Sequence, residues 1–172
     1  MPILLELMYH KRLNGYSQIG YKTLSAHNQP DRINMIYDVN SFVPVIKNDF
    51  TEAKKEILIV SPFLRKKRAN TILEWLREPI RSGVSVAVVT RPAESYKDPD
   101  RIKECIEYLQ SSVTVAQKPN IHQKYVIIDN RLVWYGSINL LSYGSSEEGI
   151  MRLESRELAE ELEVIIQGVQ YA

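Results

Sequence analysis

The chain carries one cysteine, Cys105, in 172 residues. An intramolecular disulfide needs two, so packing alone must hold the fold, and a reducing compartment suits it. There is no CxxC, and the three histidines, His10, His27 and His122, stand far apart. Zinc-ligand spacing is therefore missing, and no metal or cofactor is expected. An excess of one charge is missing too: 22 Lys and Arg against 21 Asp and Glu leave a formal net charge of +1. No whole-molecule field draws in a polyanion, so any such binding must come from a local patch. Long apolar runs are also scarce. The opening "MPILLELMYHKRLNGY" turns charged after a short stretch, which fits neither a signal peptide nor a membrane span. The expectation is a soluble, cytoplasmic protein without membrane contact. Internal repeats and low-complexity segments are absent.

What is present is enough for one domain with a real core, since 44% of the residues are hydrophobic. Residues 1–40 are the least regular part. They read as a short helix near Leu4 to Leu13 and then a loop, an N-terminal arm or the remnant of a preceding domain. Residues 41–172 read as the folded domain. "NDFTEAKKE" suits a short amphipathic helix, and "ILIVSPF" a strand buried on both faces. "ANTILEWLREPIRSG" places Ile72, Leu73, Leu76 and Ile80 at helical spacing, with Gly83 closing the helix. "VSVAVVT" and "VTVA" read as strands, and between them Ile102, Cys105, Ile106 and Leu109 mark the inner face of another helix. This makes Cys105 a small buried apolar residue. "HQKYVIID" and "RLVWYGS" read as a hairpin turning at Asp129 and Asn130, "GIMRLE" as a strand, and "SRELAEELEVIIQGVQ" as a last helix with Ser155 as N-cap. The expected class is α/β: a mixed, largely parallel β-sheet flanked by helices on both faces.

The stretch "NIHQKYVIID" departs from ordinary core, because two costly polar groups open a buried strand. Strand side chains alternate, so His122 and Lys124 share a face with Val126 and Ile128, while Tyr125, Ile127 and Asp129 take the other. Asp129 therefore cannot orient His122; its expected role is to anchor the hairpin turn through local hydrogen bonds. The return strand ends in "GSIN", where Gly136 permits close backbone approach and Ser137 and Asn139 add small donors. In such a hairpin Ser137 falls roughly opposite His122. Imidazole, ammonium, hydroxyl and carboxamide then converge on one patch suited to an anionic oxygen cluster. A histidine there can attack phosphorus or move a proton near neutral pH.

His122-x-Lys124, then Asp129, then Gly136-Ser137-x-Asn139 resembles the HKD motif of the phospholipase D superfamily, and "ILIVSPF" resembles the strand before that family's first helix. The likeness spans about residues 40 to 170. It implies a phospholipase D-like α-β-α sandwich and metal-independent phosphodiester chemistry through a phosphohistidine. His122 is then the nucleophile, Lys124 and Asn139 bind the phosphate, and Ser137 supports them. The resemblance also places a glutamate against the other histidine nitrogen, with Glu148 in that role and Glu147 as the fallback. The mechanism needs two histidines and only one motif is present, so the resemblance implies a homodimer sharing one site.

His10 and His27 lack such company and read as structural or surface residues. "RKKR", Arg65, Lys66, Lys67 and Arg68, reads either as a solvated helix start or as a nucleic-acid contact at a strand end. Lys11, Arg12 and Lys22 with Tyr9, Tyr16 and Tyr21 read as ordinary packing or as a nucleic-acid arm. Small single-motif members of the resembled family are mostly nucleases, so the expected activity is endonucleolytic cleavage of DNA, with RNA as a further substrate. The alternatives are phosphatidyl transfer or lipid hydrolysis, which an amphipathic basic helix would have favoured, and a non-catalytic nucleic-acid-binding module. The start of the chain followed by an HKD domain also resembles the C-terminal region of helicase-like proteins, which implies a helicase-like partner or parent chain.

Overall fold

The computed structural model describes residues 35–144 and 147–168. Among these, seven strands form one sheet in the order β1-β7-β6-β5-β2-β3-β4. The strands are β1 (Met35–Asp38), β2 (Glu56–Val60), β3 (Ser85–Thr90), β4 (Thr114–Gln117), β5 (Tyr125–Ile128), β6 (Leu132–Gly136) and β7 (Gly149–Glu154). The helices are α1 (Phe42–Glu52), α2 (Lys66–Arg81), α3 (Pro99–Gln110) and α4 (Arg156–Gln167).

The expected mixed α/β class holds, but the expected balance of strand directions does not. Only β2 with β3 and β3 with β4 run parallel; the other four pairings are antiparallel. Connection length explains the reversal. Helices α2 and α3 carry the chain back across the sheet and so permit parallel neighbours. Among the described residues from 121 onward no helix separates β5, β6 and β7, and strands joined without a crossover pair antiparallel. The sheet also takes in Met35–Asp38, which pairs along β7, so it starts before the boundary expected at residue 41. The expected helix near Leu4 to Leu13 and the basic, tyrosine-bearing stretch around it lie outside the described residues.

Local sequence accounts for the helices. Asp98 caps α3 by accepting from the Arg101 backbone N–H at 3.2 Å, with Pro99 at its first position. Ile102, Cys105, Ile106 and Leu109 are all buried, as their spacing predicts. In α2 Ile72 and Leu76 are buried while Leu73 and Ile80 pack partly exposed against the core, and Gly83, at φ +88°, turns the chain into β3. Ser155 caps α4 through the Leu158 N–H at 3.1 Å. Helix α1 begins earlier than the expected segment, at Phe42, because Phe42 and Ile46 extend its buried stripe beside Phe50.

Two cores result. Helices α1 to α3 pack Phe42, Phe50, Ile72 and Leu109 against Ile57, Ile59, Val126 and Trp134. Helix α4 packs Ala159 and Leu162 against Val60, Tyr125, Ile127 and Val133 on the other face. Alternation along β5 places Val126 and Ile128 in the first core and Tyr125 and Ile127 in the second. One ionic group lies inside: Asp49, 5% exposed, accepts from the Trp134 indole N–H and from the Arg152 guanidinium, each at 2.8 Å. It ties α1 to β6 and β7, and removing one partner would leave a buried charge uncompensated.

Candidate active site

Topology gathers chemistry at one edge of the sheet. Strands β2 and β3 are parallel, β5 is antiparallel to β2, β6 to β5 and β7 to β6. The C-terminal ends of β2, β3 and β6 therefore meet the N-terminal ends of β5 and β7. That edge carries Phe63 after β2, Arg91 after β3, His122 and Lys124 before β5, Ser137 and Asn139 after β6, and Glu148 before β7.

His122 and Lys124 lie in extended chain just ahead of β5, which starts at Tyr125, three residues later than the expected strand. His122 is exposed. The Lys124 ammonium stands 3.1 Å from His122 Nδ1 and donates to the His122 carbonyl at 2.7 Å. The Phe63 ring meets the imidazole in a T-shaped contact at 6.2 Å. Burial lowers the Lys124 pKa, Arg91 lowers it further, and Glu148 opposes both. The ammonium is thus partly desolvated, with one carboxylate favouring its charge and one cation opposing it, and a bound anion would favour it further. Arg91 is fixed by donating from Nε to the Ile121 carbonyl at 2.8 Å and by lying 5.3 Å over the Phe63 ring.

The rest of the expected constellation divides. Glu148 sits within electrostatic reach of Lys124, but no hydrogen bond joins it to His122. Ser137 does not turn to the imidazole: β5 and β6 pair with Tyr125 opposite Tyr135, and the Ser137 hydroxyl accepts from the Gly149 N–H at 3.0 Å and donates to the Gly149 carbonyl at 3.3 Å. Gly136 serves the same junction, since a Cβ there would stand 2.3 Å from the Gly149 oxygen and 2.7 Å from the Ile150 Cα. The "GS" pair therefore docks β6 onto β7. Asn139 occupies the turn after β6, where its carbonyl accepts from the Ser142 and Tyr143 N–H groups. Its Oδ1 is buried with no hydrogen-bond partner, which is costly unless the side chain serves a ligand or water.

Asp129 lies at the opposite end of β5, so it does not orient His122. The anchoring is not local, however. Its carboxylate accepts the backbone N–H groups of Lys54, Lys55 and Glu56, at 2.8–3.2 Å, clamping the connection between α1 and β2. Burial raises its pKa, but these donors and Arg131 outweigh that and hold the carboxyl below the ordinary range. The turn itself rests on left-handed backbone at Asp129 (φ 54°) and Asn130 (φ 47°).

The basic run also divides. Arg65, Lys66 and Lys67 are exposed. Arg68 turns inward: its guanidinium lies 3.7 Å over the Tyr143 ring and donates from Nε to the Tyr143 carbonyl at 3.0 Å. Arg68 is therefore a brace for the turn that carries Asn139. Phe63 and Arg91 were not singled out from the sequence; their position just past the ends of two parallel strands was the available signal. Among the described residues no three His, Cys, Asp or Glu side chains cluster as metal ligands, and no helix is long and apolar enough to cross a membrane.

Residues 46–169 match the family described as "Cardiolipin synthase, PLD-like domain". Among solved structures, Nuc from Salmonella typhimurium, described as a phospholipase D family member, superposes with a TM-score of 0.64 at 19% identity, over 78% of this chain and 91% of that one. NucT from Helicobacter pylori gives 0.61 at 16% identity, over 78% and 92%. TrmBL2, described as an archaeal chromatin protein with a novel mode of DNA binding, gives 0.56 at 11%, over 95% and 59%. No curated protein sequence matches.

Proposed function

The chain belongs to the PLD-like domain family described under cardiolipin synthase, and from that membership we propose that it is a phosphodiesterase that cleaves nucleic acid, DNA first, through a phosphohistidine in a site shared by two copies. One observation carries the reading: an exposed imidazole with an ammonium 3.1 Å from its Nδ1, at the edge where five strand ends meet.

A phosphate entering this edge draws the Lys124 ammonium to its oxygens. That releases Nδ1 to hold the ring proton and leaves the Nε2 lone pair facing phosphorus. Glu148, close enough to act on Lys124, adds negative potential that favours the imidazolium. The Nε2–P bond forms as the P–O bond to the leaving group breaks, and His122 of the second copy protonates the leaving oxygen. Water then attacks the phosphohistidine, gives its proton to that second histidine, and releases a phosphomonoester and free His122. In this reading the Asn139 amide N–H donates to a phosphate oxygen, and Arg91 adds a second cation for the charge that builds in the transition state. The match to a protein described as binding DNA supports nucleic acid over phospholipid as the substrate.

The test is cleavage of plasmid and single-stranded DNA in EDTA, followed by subunit mixing. When wild type is mixed equally with His122→Ala and the subunits exchange, activity should fall to about a quarter of the undiluted value, because only wild-type pairs hold both histidines. A fall to about half, with exchange confirmed, rejects the shared site. Hydrolysis of phosphatidylglycerol vesicles without cleavage of DNA would move the substrate to lipid.

A further inference from the structure

Three of the four residues in the basic run line a cleft that the chemistry above does not use. Its volume is about 450 Å³, and it lies between α2 and the segment leading into α3. Arg65, Lys66 and Lys67 form one wall, and Lys97 and Arg101 form the other. All five are exposed. Asp98 is the one carboxylate on the lining, and its side chain already caps α3. Among the described residues the only ion pair on this wall is Lys66 with Glu104, at 3.9 Å and well exposed, a contact worth little in water.

The cleft is joined to the reacting edge. Tyr96 lines it, and the Tyr96 ring meets Phe63 in a T-shaped contact at 6.2 Å. Phe63 in turn meets His122 at 6.2 Å. Tyr96 is held by its hydroxyl on the Pro62 carbonyl. The two ring-to-ring steps carry this aromatic bridge up to about 12 Å, a span of about two to four nucleotides at ~3.4 Å per nucleotide in stacked helix and roughly twice that when extended.

We propose that this cleft is a second phosphate-binding subsite, which holds the backbone of a nucleic-acid strand next to the phosphate engaged by His122 and Lys124. The proposal rests on the phosphodiesterase reading and narrows it to a polymeric substrate. A phospholipid brings one diester and two acyl chains and has no use for a cationic cleft one ring beyond the reacting phosphate. A polynucleotide brings a phosphate at every step, and its bases have π-faces for Phe63 and Tyr96. Because the formal net charge is only +1, a cleft of this composition is the kind of local patch that strand binding requires.

The experiment compares Lys97→Ala/Arg101→Ala with Arg77→Ala/Arg81→Ala. The second pair removes the same charge from the far end of α2, where both arginines pair with neighbouring glutamates. Binding of a fluorescent single-stranded oligonucleotide is followed against salt, and hydrolysis of bis(p-nitrophenyl) phosphate reports the reacting centre alone. The cleft variant should lower the magnitude of the log K against log salt slope by about 1.4, two contacts at about 0.7 each. It should leave turnover of the small diester unchanged. The remote variant should alter neither. An unchanged slope in the cleft variant, or an equal drop in the remote one, overturns the subsite. Because binding is read separately, a wild-type protein that binds strands with the expected slope but fails on the small diester would count against the chemistry and for the cleft.

Discussion

The two ends of β5 carry charged residues of a single motif, and their environments are opposite. At the Asp129 end the charge is answered: three backbone N–H groups converge on one carboxylate and hold its pKa down. At the His122 end it is answered only in part. Lys124 has lost water to burial and leans on the imidazole and the His122 carbonyl, with Glu148 favouring its charge and Arg91 opposing it. A satisfied charge is a clamp, whereas a charge held under electrostatic tension at an exposed edge is ready for a ligand. Motif spacing alone does not distinguish them, because four residues of buried strand fix the distance between both ends whatever each end does.

Substitutions should separate the two ends. The largest effect is expected for His122→Asn. Cleavage should drop at least about 10⁴-fold, since the group that bonds to phosphorus is gone, while the unfolding midpoint stays within the range of an exposed substitution. A folded variant retaining a few per cent of activity in single-turnover assays would remove His122 from its role.

Gly136→Ala comes next and sharpens the comparison, because it strikes the His122 end through geometry alone. The new Cβ meets backbone of β7 at 2.3 Å, so β6 and β7 must part at that point. Destabilisation of about 2–3 kcal/mol in urea unfolding is expected. A variant as stable as wild type would show that β7 can shift freely there.

The smallest effect is expected at the clamp. Asp129→Ala should cost about 1–2 kcal/mol, the price of leaving backbone donors unpaired at a partly exposed site, with cleavage of the residual folded protein unchanged. The sign of the pH dependence follows from the depressed pKa. The Asp129 contribution is full above the ordinary carboxylate value of about 3.9 and is lost as pH falls through the lower folded value. The stability gap between wild type and Asp129→Ala should therefore hold from neutral pH down to about pH 4 and close as the pH falls from there through the lowered folded value. A gap that persists unchanged in acid would mean that the carboxylate charge is not what the three N–H groups bind.

Much of this was legible in residue order. The alternation in "YVII", the helical stripe Ile102, Cys105, Ile106 and Leu109, and the caps at Asp98 and Ser155 are local signals, decided by periodicity and by hydrogen bonds a few residues long. Parity along β5 was enough to exclude Asp129 as the partner of His122. The proximity of His122 and Lys124 is likewise local, two residues apart on the chain. Direction in the sheet was less legible: the hairpin reading makes β5 and β6 antiparallel, but it does not say that β5 runs against β2 or that β7 lies between β6 and β1. The divisions within motifs were not legible at all. Arg68 differs from Arg65 only in meeting Tyr143, 75 positions away, and Ser137 differs from a phosphate donor only in meeting Gly149.

What the sequence by itself determined was therefore most of the elements from residue 41 onward, the two-faced core and the candidate pair His122 and Lys124, because each depends on residues near one another in the chain. The tertiary structure alone decided which charges are answered. Whether Asp129 finds backbone donors at 54 to 56, whether Arg91 reaches the Ile121 carbonyl and Phe63 the histidine, and whether three lysines and two arginines line one cleft all depend on strand order. A charge is neutralised or left exposed by what folding brings within a few ångströms of it, and that distance is not written in the spacing of the chain.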